Sequence, residues 1–61
     1  MGSQIVANNT WLDDNGTVYT ANGTILGRVR RSGPHWEAIN AKGKHLDTYI
    51  RKTDAAASLA R

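Results

Sequence analysis

The chain has 61 residues, a formal net charge of +3 at pH 7 with histidines neutral, two Trp, two Tyr, no Phe and no Cys. A chain of this length forms one domain and buries only about 60% of the surface its unfolded form exposes, so one small core is all it holds. The absence of cysteine excludes a disulfide framework and a thiolate metal site, and no apolar run approaches the roughly 20 residues that span a bilayer.

Residues 1–10, MGSQIVANNT, show little periodicity and read as a flexible N-terminal arm. They lack the basic and apolar regions of a secretory leader, so a cytoplasmic protein is expected. The domain proper then spans 11–61. Within it Asn15-Gly16, Asn22-Gly23, Ser32-Gly33-Pro34 and Lys42-Gly43-Lys44 interrupt short runs rich in Thr, Val, Ile, Tyr or Trp. Asn-Gly between such runs is a hairpin signal.

The intervals give strands at 11–12, 17–20, 24–31, 35–40 and 45–50. The last three have the length and alternation of a three-stranded antiparallel sheet, and the first two read as an extra N-terminal hairpin. After Ile50 the pattern changes: Thr53 as N-cap, Asp54 in the first turn and the run Ala55-Ala56-Ala57 favour a short helix to Arg61. So short a helix is marginal alone and should dock on the sheet through Ala55 or Ala56 and Leu59. The expected class is α+β, mostly β. Packing, or a second copy of the chain, must stabilise it, and homodimerisation is left open.

Period-two alternation then assigns faces. Ile25, Val29, Trp36, Ala38, Leu46, Thr48 and Ile50 form the set the helix would cover. Leu26, Arg28, Arg30, His35, Glu37, Ile39, His45, Asp47, Tyr49 and Arg51 form the opposite face. A register error of one residue would exchange the two lists. Trp36 is expected in the core, whereas Trp11 fits either the open end of the core or a dimer contact.

Charge is unevenly distributed. Residues 1–27 contain Asp13 and Asp14 and no Lys or Arg, while 28–61 hold all eight basic side chains against Glu37, Asp47 and Asp54, which is +5. Arg28, Arg30, Arg31, Lys42, Lys44, Arg51 and Lys52, with Tyr49 nearby, are therefore the candidate nucleic-acid-binding residues, because cations neutralise phosphates and planar groups stack on bases. The bland alternative is a solvated face whose Lys and Arg block edge-to-edge aggregation.

Other chemistry finds little footing. His35 and His45 lack a third partner for a metal, Ser32 and Ser58 have no neighbouring base in sequence, and no Gly-x-Gly-x-x-Gly or phosphate loop occurs. No catalytic residues, cofactor or metal are expected. The three Asn-x-Thr sequons at Asn8, Asn15 and Asn22 would matter only in a secreted chain.

The segment 23–61, GTILGRVRRSGPHWEAINAKGKHLDTYIRKTDAAASLAR, resembles the AP2-like, arm-type DNA-binding domains of tyrosine recombinases. A basic strand, a turn, a Trp-containing strand, a Gly turn, a third strand and an Ala-rich helix follow in that family's order. The resemblance implies a sheet face inserted in the DNA major groove, with Arg28, Arg30, Glu37, Tyr49 and Arg51 toward the bases and Lys42, Lys44 and Lys52 toward phosphates. It covers about two-thirds of the chain and leaves out the first 22 residues. The core-binding domain that follows in a recombinase has no counterpart here, so a stand-alone, phage-type protein is expected. The function expected on these grounds is binding of double-stranded DNA, in a regulatory or recombination-associated role. The alternative is a module that binds and modulates an acidic host protein.

Overall fold

In the computed structural model, which describes residues 3–60, every strand pairs antiparallel with the next in sequence. β1 (Gln4–Ala7), β2 (Thr10–Leu12), β3 (Thr17–Thr20), β4 (Ile25–Ser32), β5 (His35–Asn40) and β6 (His45–Tyr49) make one six-stranded sheet, followed by α1 (Lys52–Ser58). The class is α+β as expected, but the anticipated three-stranded sheet and extra N-terminal hairpin form, with β1, one continuous six-stranded meander. Residues 4–7, read from sequence as arm, form its first strand; Met1 and Gly2 lie outside the described residues. No helix among the described residues is long and apolar enough to cross a membrane.

Three of the five turns reuse one device. Asp13 Oδ1 accepts from the Asn15 and Thr17 amides at 2.9 Å each, and Asn40 Oδ1 accepts from those of Lys42 and Lys44 at 2.9 Å each. Thr20 Oγ1 accepts from the Thr24 amide at 3.2 Å. In each the glycine three residues on, Gly16, Gly23 or Gly43, has φ near +90°. A polar residue that holds the loop amides, followed by glycine in the left-handed region, is the three-to-four-residue hairpin loop this twist requires. The Asn-Gly-Thr echo at 15–17 and 22–24 is thus a repeated turn.

The sheet buries one face. Leu12, Val18, Val29 and Ala38 meet Ala55, Ala56 and Leu59 of the helical segment, and Val6, Leu26, Trp36 and Tyr49 pack around them. Ala38, Ala55 and Ala56 are each 0% exposed, so small side chains on both sides let the helix sit close to the strands. α1 touches β5, β4 and β6, and also β1 and β2. It starts one residue before the expected Thr53 cap: Arg51 is the N-cap residue, without a side-chain hydrogen bond, and Thr53 lies in the first turn. Helix propensity of the alanine run, rather than a cap, explains its position.

The face assignment holds in the middle of the sheet and reverses at its ends. Val18 pairs with Gly27 but Tyr19 pairs with Ile25, which leaves Leu26 as an extra residue; Ala38 pairs with Asp47 but Ile39 with His45, which leaves Leu46 extra. Each bulge shifts the alternation by one. Consequently Leu26 packs on the core while Ile25 is 52% exposed on the opposite face, and Tyr49, opposite Trp36, joins the helix side with Asp47. Thr48 pairs with Glu37 outside, and Leu46 and Ile50 are 46% and 72% exposed rather than covered.

Candidate nucleic-acid interface

The face away from the helix is organised as cross-strand rows, since directly paired residues share a face. Ile5, Trp11, Tyr19 and Ile25 are successive partners from β1 to β4. Thr17, Arg28, Ile39 and His45 form the next row, and Arg30, Glu37 and Thr48 the one after. One half of the face is therefore aromatic and aliphatic; the other is polar and charged around Ile39, which is 6% exposed beneath its neighbours.

Trp11 and Tyr19 are half-buried, each lying against its neighbours in the row. The Tyr19 hydroxyl donates to Ser3 Oγ at 2.8 Å, which anchors the ring at its outer end. A shallow groove beside them is bounded by Ser3, Trp11, Tyr19 and Ala21. A second groove, of about 340 Å³, lies between β3, β4 and the β5–β6 turn and is lined by Thr17, Ile25, Arg28, Asn40 and Lys42 among others. Ile25, the partner of Tyr19, borders this second groove, so aromatic and cationic surfaces adjoin.

The cations on this side differ in their engagement. Arg30 Nε and Nη2 donate to Glu37 Oε1 at 3.1 and 2.9 Å, and His45 Nε2 lies 3.8 Å from Glu37 Oε2. Arg28, Lys42 and Lys44 are exposed and form no ion pair among the described residues. Their charge is open to an anion, whereas that of Arg30 is largely offset by Glu37.

The remaining sequence candidates lie elsewhere. Arg31 pairs with Trp36 on the helix side, its Cζ 6.0 Å from the indole centroid, and Lys52 Nζ stands 5.3 Å from the same ring. Tyr49 is beside Trp36 and Arg51 begins the helix. The single basic face read from the sequence is thus divided: of the five positions the recombinase resemblance turns toward a groove, Arg28, Arg30 and Glu37 share the outer face, Tyr49 faces the helix side and Arg51 lies beyond the strand. His35 pairs with Ser32 on the outer face at the far end of β5. Among the described residues no three His, Asp or Glu side chains converge as a metal site.

Tyr19 was the residue that sequence reasoning passed over, and Trp11, expected at the open end of the core or a dimer contact, lies instead half-buried beside it on the outer face. The signal was present: in a hairpin turning about Asn15, positions symmetric to it pair, 11 with 19 and 12 with 18. No protein-family model, curated protein or solved structure matches the chain significantly.

Proposed function

We propose that the outer sheet face binds nucleic acid and takes single-stranded segments in preference to duplex. The observation that carries this is the paired Trp11 and Tyr19 on the same face as the unpaired cations Arg28 and Lys42, with Lys44 in the adjoining turn. Base-on-ring stacking is worth about 1–3 kcal/mol per base, and every base has a face to offer once it is unpaired. A duplex exposes only base edges in its grooves, so the rings would contribute little there. Arg28, Lys42 and Lys44 then neutralise phosphates next to the stacked base.

The test is a titration of labelled single-stranded and duplex oligonucleotides of equal length at about 50 and 200 mM salt. Single strands should bind more tightly, with log affinity falling against log salt at a slope near −2 for three phosphate contacts at about 0.7 each. Trp11→Ala should weaken binding at least fivefold, with its fold checked by circular dichroism. Tighter duplex binding would instead favour the major-groove arrangement through Arg28 and Arg30, and binding absent at low salt removes the reading.

A second reading is a protein-docking face. Ile5 and Ile25, 61% and 52% exposed at the two ends of the aromatic row, favour it. Under that reading a partner survives nuclease treatment and is released by Ile25→Glu.

A further inference from the structure

Arg30 and Arg31 are neighbours in sequence and leave β4 on opposite faces, as alternate strand residues must. Arg31 comes to lie against Trp36, and Lys52, at the start of α1, approaches the same ring from the chain that returns after β6. Two cations are thereby held at one indole, 6.0 and 5.3 Å from its centroid, and neither has a carboxylate within ion-pair distance among the described residues. The half-buried ring attracts both cations, which steadies each head group but leaves its charge uncompensated. The Arg31 guanidinium is further oriented by Nε donating to the Gly33 carbonyl at 3.2 Å, and its terminal nitrogens make no hydrogen bond among the described residues. Exposed Arg51, the N-cap residue, immediately precedes Lys52 in the chain.

We infer that Arg31 and Lys52, braced on Trp36, form a second phosphate-binding site on the helix side of the sheet, so that one molecule holds two nucleic-acid strands, one on each side. This rests on the outer-face reading. The strands approach from opposite sides of the sheet, so the protein would act as a bridge that brings two chains together.

The experiment mixes donor-labelled and acceptor-labelled oligothymidylates of about 12 nucleotides, a length within the usual site sizes for single strands, with the full chain. Sensitised emission should rise as protein is added and fall again once protein exceeds strands, because each strand then finds its own molecule. Arg31→Ala with Lys52→Ala should abolish the emission and leave one-strand binding, read by anisotropy, within about twofold. The charge-conserving pair Arg31→Lys with Lys52→Arg should retain more than half of it, and circular dichroism confirms that each variant folds. Wild-type anisotropy without sensitised emission overturns the bridge and leaves the outer-face reading intact. Emission that survives in the alanine pair points to a dimer with one site per copy and also overturns it. If the alanine pair loses all binding while Arg28→Ala with Lys42→Ala loses none, the outer-face reading fails and the Trp36 site alone stands.

Discussion

Gly27 runs so close to β5 that a Cβ at this position would stand 2.2 Å from the carbonyl oxygen of Ile39. Its φ of +153° is one that L side chains rarely adopt, so space and backbone conformation both require glycine. Gly27→Ala should therefore cost about 2–4 kcal/mol, most of the stability expected of so small a domain. Gly23, with φ of +90° and no atom within 4 Å of where a Cβ would stand, serves as the control. Gly23→Ala should cost only about 1–2 kcal/mol, the left-handed backbone penalty alone. Urea unfolding of the two variants measures the difference.

Leu59 is 8% exposed and joins the end of the helical segment to the core. Leu59→Ala should lower stability by about 2–3 kcal/mol. Because a helix of two turns does not persist alone, helical ellipticity should fall together with the sheet signal in one thermal transition. A loss of helix ahead of the sheet would show that the docking is dispensable.

Glu37, whose side chain is 17% exposed, holds the 66% exposed Arg30, and with one partner open to solvent such a pair is worth about 1 kcal/mol. Glu37→Gln should leave the urea midpoint nearly unchanged. It should also release the Arg30 charge toward phosphate, with tighter oligonucleotide binding and a salt slope steeper by about 0.7. Unchanged affinity at low salt would mean that Arg30 takes no part in binding.

Arg28 and Lys42 line one groove and have no carboxylate partner among the described residues. Their joint replacement by alanine should reduce the salt slope by about 1.4, two contacts at 0.7 each, while the thermal melt stays within a few degrees. A parallel loss of melting temperature would mark them as structural.

The turns were legible because their chemistry is local: Asp13, Thr20 and Asn40 hold loop amides within four residues of themselves, and a glycine follows each. The middle of β4 and β5 was legible for the same reason, since Val29 opposite Ala38 and Arg30 opposite Glu37 obey plain alternation. Leu26 and Leu46 broke the reading. A bulge is set by how two strands meet, and neither strand announces it alone, so Ile25, Asp47, Thr48 and Tyr49 were assigned to the wrong sides. β1 carries a third irregularity, between Ile5 and Ala7, and its short run lacked any alternation to read. The transfer of Tyr49 to the helix side followed from the bulge at Leu46. For Arg31, adjacent to Arg30 on a strand, opposite faces were implied by the sequence once both were placed in β4.

The helix, last in the chain, touches the first strand as well as β5 and β6. A meander whose strands bond only to their sequence neighbours would otherwise unzip one rung at a time from either margin. The C-terminal segment works as a clasp that ties the two margins together, converting a ladder of local hairpins into a single all-or-none folding unit. Trimming it should leave a chain that frays first at Gln4–Ala7, the rung farthest from it in sequence.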